Sequence, residues 1–292
     1  MDTATTKETL SGPKRPYRLG IALSGGGARG FAHAGALMAL EEAGLRPDVI
    51  AGVSAGSVVA VLYAAGRRPI EIASIFGNQG FRDFAEFKLG QGGLFEIKRF
   101  EKFVLNNLEG VKMLEDLRIP TYIGATDFDH GCPAVFHTGP IGPRLRASCS
   151  IPVVFTPVKI DGVNYVDGGV LRNMPAWTIR DKCDTLIGIN VSPMRKFDTS
   201  SIIGSALRTY NLMAKANQAQ DMAMCDVAVE ITEISGYKVF DLKHIKDLFV
   251  TGYLHMRRAL RNAGLWAPDK TRDTGKISDL TPPLDRQEGK KQ

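Results

Sequence analysis

Ile50-Ala51-Gly52-Val53-Ser54-Ala55-Gly56-Ser57 places a serine between two glycines where one structural period gives way to another. Upstream, the apolar run Val49 to Val53 reads as a buried strand. Downstream, Ala55 to Ala65 reads as a helix that Gly66 stops. A serine at such a corner sits on a sharp turn that pushes its hydroxyl outward, and the flanking glycines remove Cβ atoms that would clash. The helix N-terminus beneath it carries partial positive charge and unpaired N–H groups, which favour a developing alkoxide. Ser54 is the candidate nucleophile. Small residues around a turn also serve plain packing, so the stretch needs a second signal.

That signal lies upstream. Tyr17 to Ser24 reads as a strand, runs into Gly25-Gly26-Gly27-Ala28-Arg29-Gly30, and continues into a small-residue helix from Phe31 to Ala43, closed by Gly44. Two successive strand–turn–helix units each carry a special turn. Consecutive parallel strands bring the turns that follow them to the same edge of the sheet, so the glycine-rich turn is expected beside Ser54. Successive glycines let backbone N–H groups converge on an anion, here a tetrahedral oxyanion.

At 292 residues and 44% hydrophobic, the chain suffices for one large α/β domain. A net charge of +6 is too small to argue for nucleic acid, but it would help docking on anionic lipid. Cys132, Cys149, Cys183 and Cys225 are scattered, without CxxC pairs or histidines at zinc spacing. They read as reduced thiols of a cytoplasmic protein, with no metal or cofactor implied. The polar N-terminus has no apolar signal-peptide core, and no run of about 18 apolar residues exists to span a membrane. A membrane would be met from its surface, on the inner side.

Residues 1–16 read as a disordered tail, 17–265 as the catalytic domain and 266–292 as a loose, proline-bearing tail. Gly77 to Gly93 is irregular and carries Phe81, Phe84, Phe87 and Leu89. It reads as a mobile flap over an apolar pocket or as an ordinary packed loop. Phe95 to Asn107 reads as a basic amphipathic helix, and 202–224 as one long helix rich in Ala and Met. Arg144 and Arg146 are candidates for a phosphate headgroup or for plain solvation. Val158 to Ile160 and Val163 to Val166 flank Asp161-Gly162, a type I′ hairpin signal. Asp167-Gly168-Gly169 ends the returning strand, roughly 20 Å from the hairpin tip. Only one of the two Asp-Gly pairs can face the sheet edge that carries Ser54.

With these pieces in place, the chain resembles the patatin-like phospholipases over roughly residues 18–264. The likeness rests on the GGGARG loop, the GVSAG elbow, the RASCSIP segment, LRIPTYIGATD and the V-x-D-G-G-V-L-R-N-M-P run from Val166, in the family's order and spacing. The resemblance implies a three-layer α/β/α fold with a mostly parallel central sheet. It further implies a Ser–Asp dyad with Ser54 as nucleophile and Asp167 as base, and an oxyanion hole from the Gly25, Gly26 and Gly27 amides with Arg29 supporting that loop. It implies hydrolysis of fatty acyl esters of phospholipids, lysophospholipids or galactolipids without a bound metal. The chemistry is sound on its own terms: a serine hydroxyl needs a neighbouring base, and burial raises a carboxylate's pKa toward working pH.

Three other readings compete. An α/β-hydrolase carboxylesterase would need a triad histidine after its acid. His244 and His255 both fall inside an apparent helix, while His33, His130 and His137 precede Asp167. A nucleotide-binding module would use Gly25, Gly27 and Gly30 as GxGxxG, yet the second strand ends in Gly52-Val53-Ser54 rather than in an acidic residue. A silent scaffold of the same fold would not need Ser54 and Asp167 intact. The oligomeric state leaves no mark in the sequence.

Overall fold

The computed structural model describes residues 15–77, 79–87, 92–194 and 199–267. It runs β1 Tyr17–Leu23, α1 Phe31–Glu42, β2 Val49–Val53, α2 Ala55–Ala64, α3 Pro69–Ile75, α4 Phe81–Phe84, β3 Glu86–Phe87, β4 Gly93–Glu96 and α5 Lys98–Asn106. There follow β5 Thr121–Asp127, β6 Cys132–Phe136, α6 Ile141–Ser148, β7 Val153–Phe155, β8 Val158–Ile160 and β9 Val163–Asp167. The last part is β10 Cys183–Asn190, α7 Ile202–Ala216, α8 Gln218–Ala223, β11 Val227–Glu230 and α9 Ile245–Asn262. Most of the two tails read as loose lies outside the described residues.

The main sheet has the order β11-β10-β1-β2-β5-β9-β8, with β6 also on β5. From β11 to β5 every pairing is parallel, and β9 and β6 pair antiparallel with β5. Alternation along the strands divides the core into two layers, because neighbouring side chains point to opposite faces. Ile21, Leu23, Ile50, Ile187 and Ile189 join the larger cluster with α1, α2, α3 and α9. Ala22, Val49, Ala51 and Leu186 join a smaller one with Met174, Ala176 and Ile179, against which Met222 and Met224 pack. This is the expected α/β/α arrangement. Helices α1 and α9 approach so closely that a Cβ at Gly35 would run into the Phe249 carbonyl, and one at Gly252 into that of Ala32.

Two expected elements differ. Phe95 lies in β4, not in a helix. It pairs with Phe155 of β7, its carbonyl accepts the Thr156 N–H at 3.0 Å, and the helix starts only at Lys98. The long helix over 202–224 is two helices broken at Asn217, whose side-chain amide turns away to the Leu171 carbonyl at 3.0 Å. In the Gly77–Gly93 stretch, Phe84 is buried edge-on against Phe76 and Phe100, as a packed loop requires, whereas Phe87 is exposed. Leu89 lies outside the described residues.

Candidate active site

The register of β5 carries the geometry. Gly124 pairs with Val53 of the parallel β2, and Ala125, the next residue, pairs with Asp167 of the antiparallel β9. Ser54 follows Val53, so the serine and the aspartate end on one row at the rim where the parallel strands finish. The hairpin turn has Asp161 at φ 49° and Gly162 at φ 91°, both positive as a type I′ turn demands. Asp161 is exposed at the far end, and the sheet edge receives Asp167 alone of the two.

Ser54 itself adopts φ 51°, ψ −124°, a conformation that costs on the order of 1–3 kcal/mol for a non-glycine residue and persists only when its surroundings enforce it. They do. A Cβ at Gly52 would collide with the Gly56 carbonyl, and one at Gly56 with the Leu23 carbonyl, so strand, elbow and helix touch backbone to backbone. The Ser54 N–H donates to Ser148 Oγ at 2.9 Å, and that hydroxyl donates on to the Gly124 carbonyl at 2.6 Å. Ser148, from the RASCSIP segment, ties the elbow to β5; its place in that motif was visible in the sequence, its task was not.

Asp167 is wholly buried. Its Oδ1 accepts the Gly169 N–H at 2.9 Å and the Tyr210 hydroxyl at 2.9 Å, whereas Oδ2 has no hydrogen-bond partner among the described residues. Burial pushes its pKa up to about 6, against the lowering effects of the Gly169 N–H and of the Ser54 and Tyr210 hydroxyls. No sequence signal marks Tyr210, which sits in an Ala/Met-rich helix. Cys149 lies beside both Ser54 and Asp167; burial first, then the charge of Asp167, pushes its thiol's pKa far up.

The glycine loop also lands beside Ser54: a Cβ on Gly25 would sit 3.2 Å from that of Ser54. One donor must be corrected. The Gly25 N–H is already bonded to the Asn173 carbonyl at 3.2 Å and cannot serve an oxyanion. The Gly26 and Gly27 N–H groups form no bond among the described residues. Gly27 holds φ 60°, and a Cβ there would strike Val239. Arg29, 2% exposed, donates from Nε to the Gly26 carbonyl at 3.2 Å and so braces the loop from within.

Ser54 opens onto an apolar cavity of about 150 Å³, lined among others by Phe31, Val58, Phe76, Phe84, Ile151 and Phe155. None of the five histidines is bonded to Ser54 or Asp167. His33 reaches the Ser24 carbonyl at 2.8 Å, His130 pairs with Asp127, His244 with Asp241 and Asp247, and His255 with Glu233. His137 meets the Tyr122 ring edge to face. Arg146 spends its charge on Glu101 at 3.1 Å, and Arg144 lies over the Phe136 ring. Among the described residues no cluster of acidic, histidine or cysteine side chains could hold a metal ion.

A sequence model described as "Patatin-like phospholipase" matches residues 21–179. An NTE family protein of Mycobacterium bovis is 37% identical over 160 residues, 54% of this chain and 44% of that one. "Lysophospholipase NTE1" of Candida glabrata is 25% identical over 278 residues, 90% of this chain and 15% of that one. The chain thus spans less than half the length of these curated relatives. Among solved structures, VipD of Legionella pneumophila superposes with a TM-score of 0.55 at 14% identity, covering 85% of this chain and 67% of that one. At that identity the likeness speaks for the fold.

Proposed function

The chain belongs to the patatin-like phospholipase family, and from that premise we propose that it is a serine hydrolase cleaving fatty acyl esters of phospholipids or lysophospholipids through a Ser54–Asp167 dyad. The observation that carries the reading is the shared row at the sheet rim: a strained serine, a buried carboxylate with one oxygen unpartnered, and two unbonded amides beside an apolar cavity.

In this mechanism Asp167 accepts the Ser54 proton as Oγ attacks the acyl carbonyl. A pKa near 6 leaves the carboxylate ionised at neutral pH, yet makes it a stronger base than an exposed aspartate. The oxyanion receives the Gly26 and Gly27 N–H groups. Asp167 then returns the proton to the departing alcohol, leaving an acyl-enzyme. Water attacks it, giving its proton to Asp167; as the acyl–Oγ bond breaks, Asp167 passes that proton to Ser54 Oγ and the fatty acid leaves. The apolar cavity suits the acyl chain.

The substrate would be drawn from a membrane surface. The small sheet whose Phe155 lines the cavity exposes Phe87 and Val153, and the net charge of +6 favours anionic lipid. No described helix is long and apolar enough to cross a membrane. The four free thiols fit a reducing compartment such as the cytoplasm.

The test is fluorophosphonate labelling of wild type, Ser54→Ala and Asp167→Asn, followed by fatty-acid release from a panel of diacyl and lysophospholipids. Labelling confined to proteins that keep Ser54, with release from at least one lipid, is expected. Equal labelling of Ser54→Ala puts the nucleophile elsewhere and overturns the reading.

A further inference from the structure

We propose that Tyr210 is a positioning residue for Asp167: its hydroxyl fixes which carboxylate oxygen is presented to Ser54 and holds that carboxylate ionised at working pH. The inference rests on the dyad reading above. A carboxylate oxygen offers about two lone-pair sites, and both on Oδ1 are taken, one by the Gly169 N–H and one by the Tyr210 hydroxyl, each at 2.9 Å. Oδ2 is left as the open face of the group. Without the hydroxyl, Oδ1 would keep a single donor and the carboxyl could turn about its own axis, presenting either oxygen or a bound proton to the serine.

The site is built around that hydroxyl. The Tyr210 ring packs on the cluster of Ile97, Ile151, Val154 and Phe155, which brings α7 against the nucleophile side of the sheet. A Cβ on Gly169 would run into the hydroxyl oxygen, so the backbone beside Asp167 leaves room for the phenol as well as donating to the same carboxylate oxygen. The titratable and charged groups around the pair are few. Cys149, after α6, is held neutral, and Arg29 acts on Tyr210 from the glycine loop. Burial, then the charge of Asp167, pushes the phenol's own pKa well above its ordinary value, so it remains a donor across the pH range of catalysis.

The experiment measures the rate of fluorophosphonate labelling, and kcat/KM on a soluble short-chain p-nitrophenyl ester, from pH 5 to 9. It compares wild type, Tyr210→Phe and Asp167→Asn. Tyr210→Phe keeps the ring in its apolar setting and removes only the oxygen. The acidic limb of wild type is expected near the Asp167 pKa of about 6, and that of Tyr210→Phe roughly one pH unit higher, the effect of losing one hydrogen bond to a charged group. Its plateau above the limb stays well above the rate of Asp167→Asn. Site-specific 3-fluorotyrosine at position 210, a stronger donor of nearly the same shape, should move the limb the other way. A Tyr210→Phe limb that coincides with wild type, whatever its plateau, overturns the inference and reduces Tyr210 to packing. Asp167→Asn labelling as fast as wild type throughout removes the dyad reading itself, a different outcome from the first.

Discussion

The two ends of β9 carry the same dipeptide and do opposite things. At one end, Asp161-Gly162 turns the chain in solvent, with no atom within 4 Å of a Cβ built on Gly162. At the other, Asp167-Gly168 is sealed in the sheet. A Cβ on Gly168 would lie 2.9 Å from the Gly124 carbonyl oxygen and 3.1 Å from Val53. Both aspartates are chemically identical in the unfolded chain. What separates them is the five-residue strand between, which delivers one to water and the other to a dry row beside Ser54. Burial, more than residue type, raises the pKa of the first and leaves the second a turn residue in water.

The sharpest way to break this contrast is to neutralise each carboxylate in turn. Asp167→Asn should lower kcat/KM on the order of 10⁴-fold, the scale seen when the acidic member of a serine-hydrolase site becomes an amide. Asp161→Asn should leave it unchanged. Steady-state kinetics on a soluble ester decides, and equal losses at both positions would mean that the hairpin's fold, and not the buried carboxylate, is what activity needs.

The glycines extend the comparison. Gly26→Ala places a methyl group 2.7 Å from Val191 Cγ2 and 3.0 Å from its carbonyl oxygen, so the loop must shift and its amide leaves its aim. A rate loss on the order of 10²–10³-fold is expected, as for removal of one oxyanion donor. Gly162→Ala meets only open space, but its φ of 91° suits no L side chain. It should cost about 1 kcal/mol of stability in urea melts without touching the rate.

How much of this was legible beforehand follows the range of the interactions. The elbow, the glycine loop and the hairpin are local: a period change, a pair of glycines, an Asp-Gly between two alternating runs. That the two aspartates fall at opposite ends was legible from the hairpin's length, whereas the choice of Asp167 came from the likeness of the run from Val166 to the family. What was hidden depends on partners far along the chain. The Gly25 amide is consumed by Asn173, and Tyr210 reaches Asp167 from a helix whose composition reads as core. The strand at Phe95 was masked because its phenylalanine also continues the apolar face of α5, and only pairing with Phe155 decides between them. The break at Asn217 belongs to the same class, being set by a carbonyl on the Asp167 side of the fold.

A site that raises a carboxylate's pKa is destabilised by that carboxylate's charge, and here the two aspartates should part again. Asp167 goes from an ordinary 3.8 to about 6 on folding, so the folded state holds its proton more tightly than the unfolded state. Its contribution is most favourable below 3.8 and is lost as pH rises through about 6. Asp167→Asn, free of that charge, should therefore melt higher than wild type at pH 8, by about 3 kcal/mol at most, and the gain should vanish near pH 4. Asp161→Asn should show no such gain at any pH. A stabilised but inactive Asp167→Asn is the expected signature of a base held in place at the fold's expense.

His33 supplies the opposite sign on the other side of Ser54. It is wholly buried, and burial pulls its pKa from 6.5 down to about 4 against the raising effect of the Ser24 carbonyl. Because Nδ1 has no partner among the described residues and Nε2 contacts a carbonyl, the neutral ring donates from Nε2 to the residue that leads into the glycine loop. The unfolded chain binds the proton between pH 6.5 and about 4 where the folded one does not, so stability falls as pH drops through that window. At pH 5 the loss is about 2 kcal/mol relative to pH 7, read as a lower urea midpoint with unchanged slope. Acidification thus favours the protonated Asp167 and opposes the neutral His33, two buried groups pulling the same rim of the sheet in opposite directions. In Asp167→Asn the His33 effect should stand alone and steepen the acid loss. A flat stability profile from pH 7 to 5 in that variant would show that His33 is not held neutral, and with it the anchoring of the glycine loop through Ser24 would need another account.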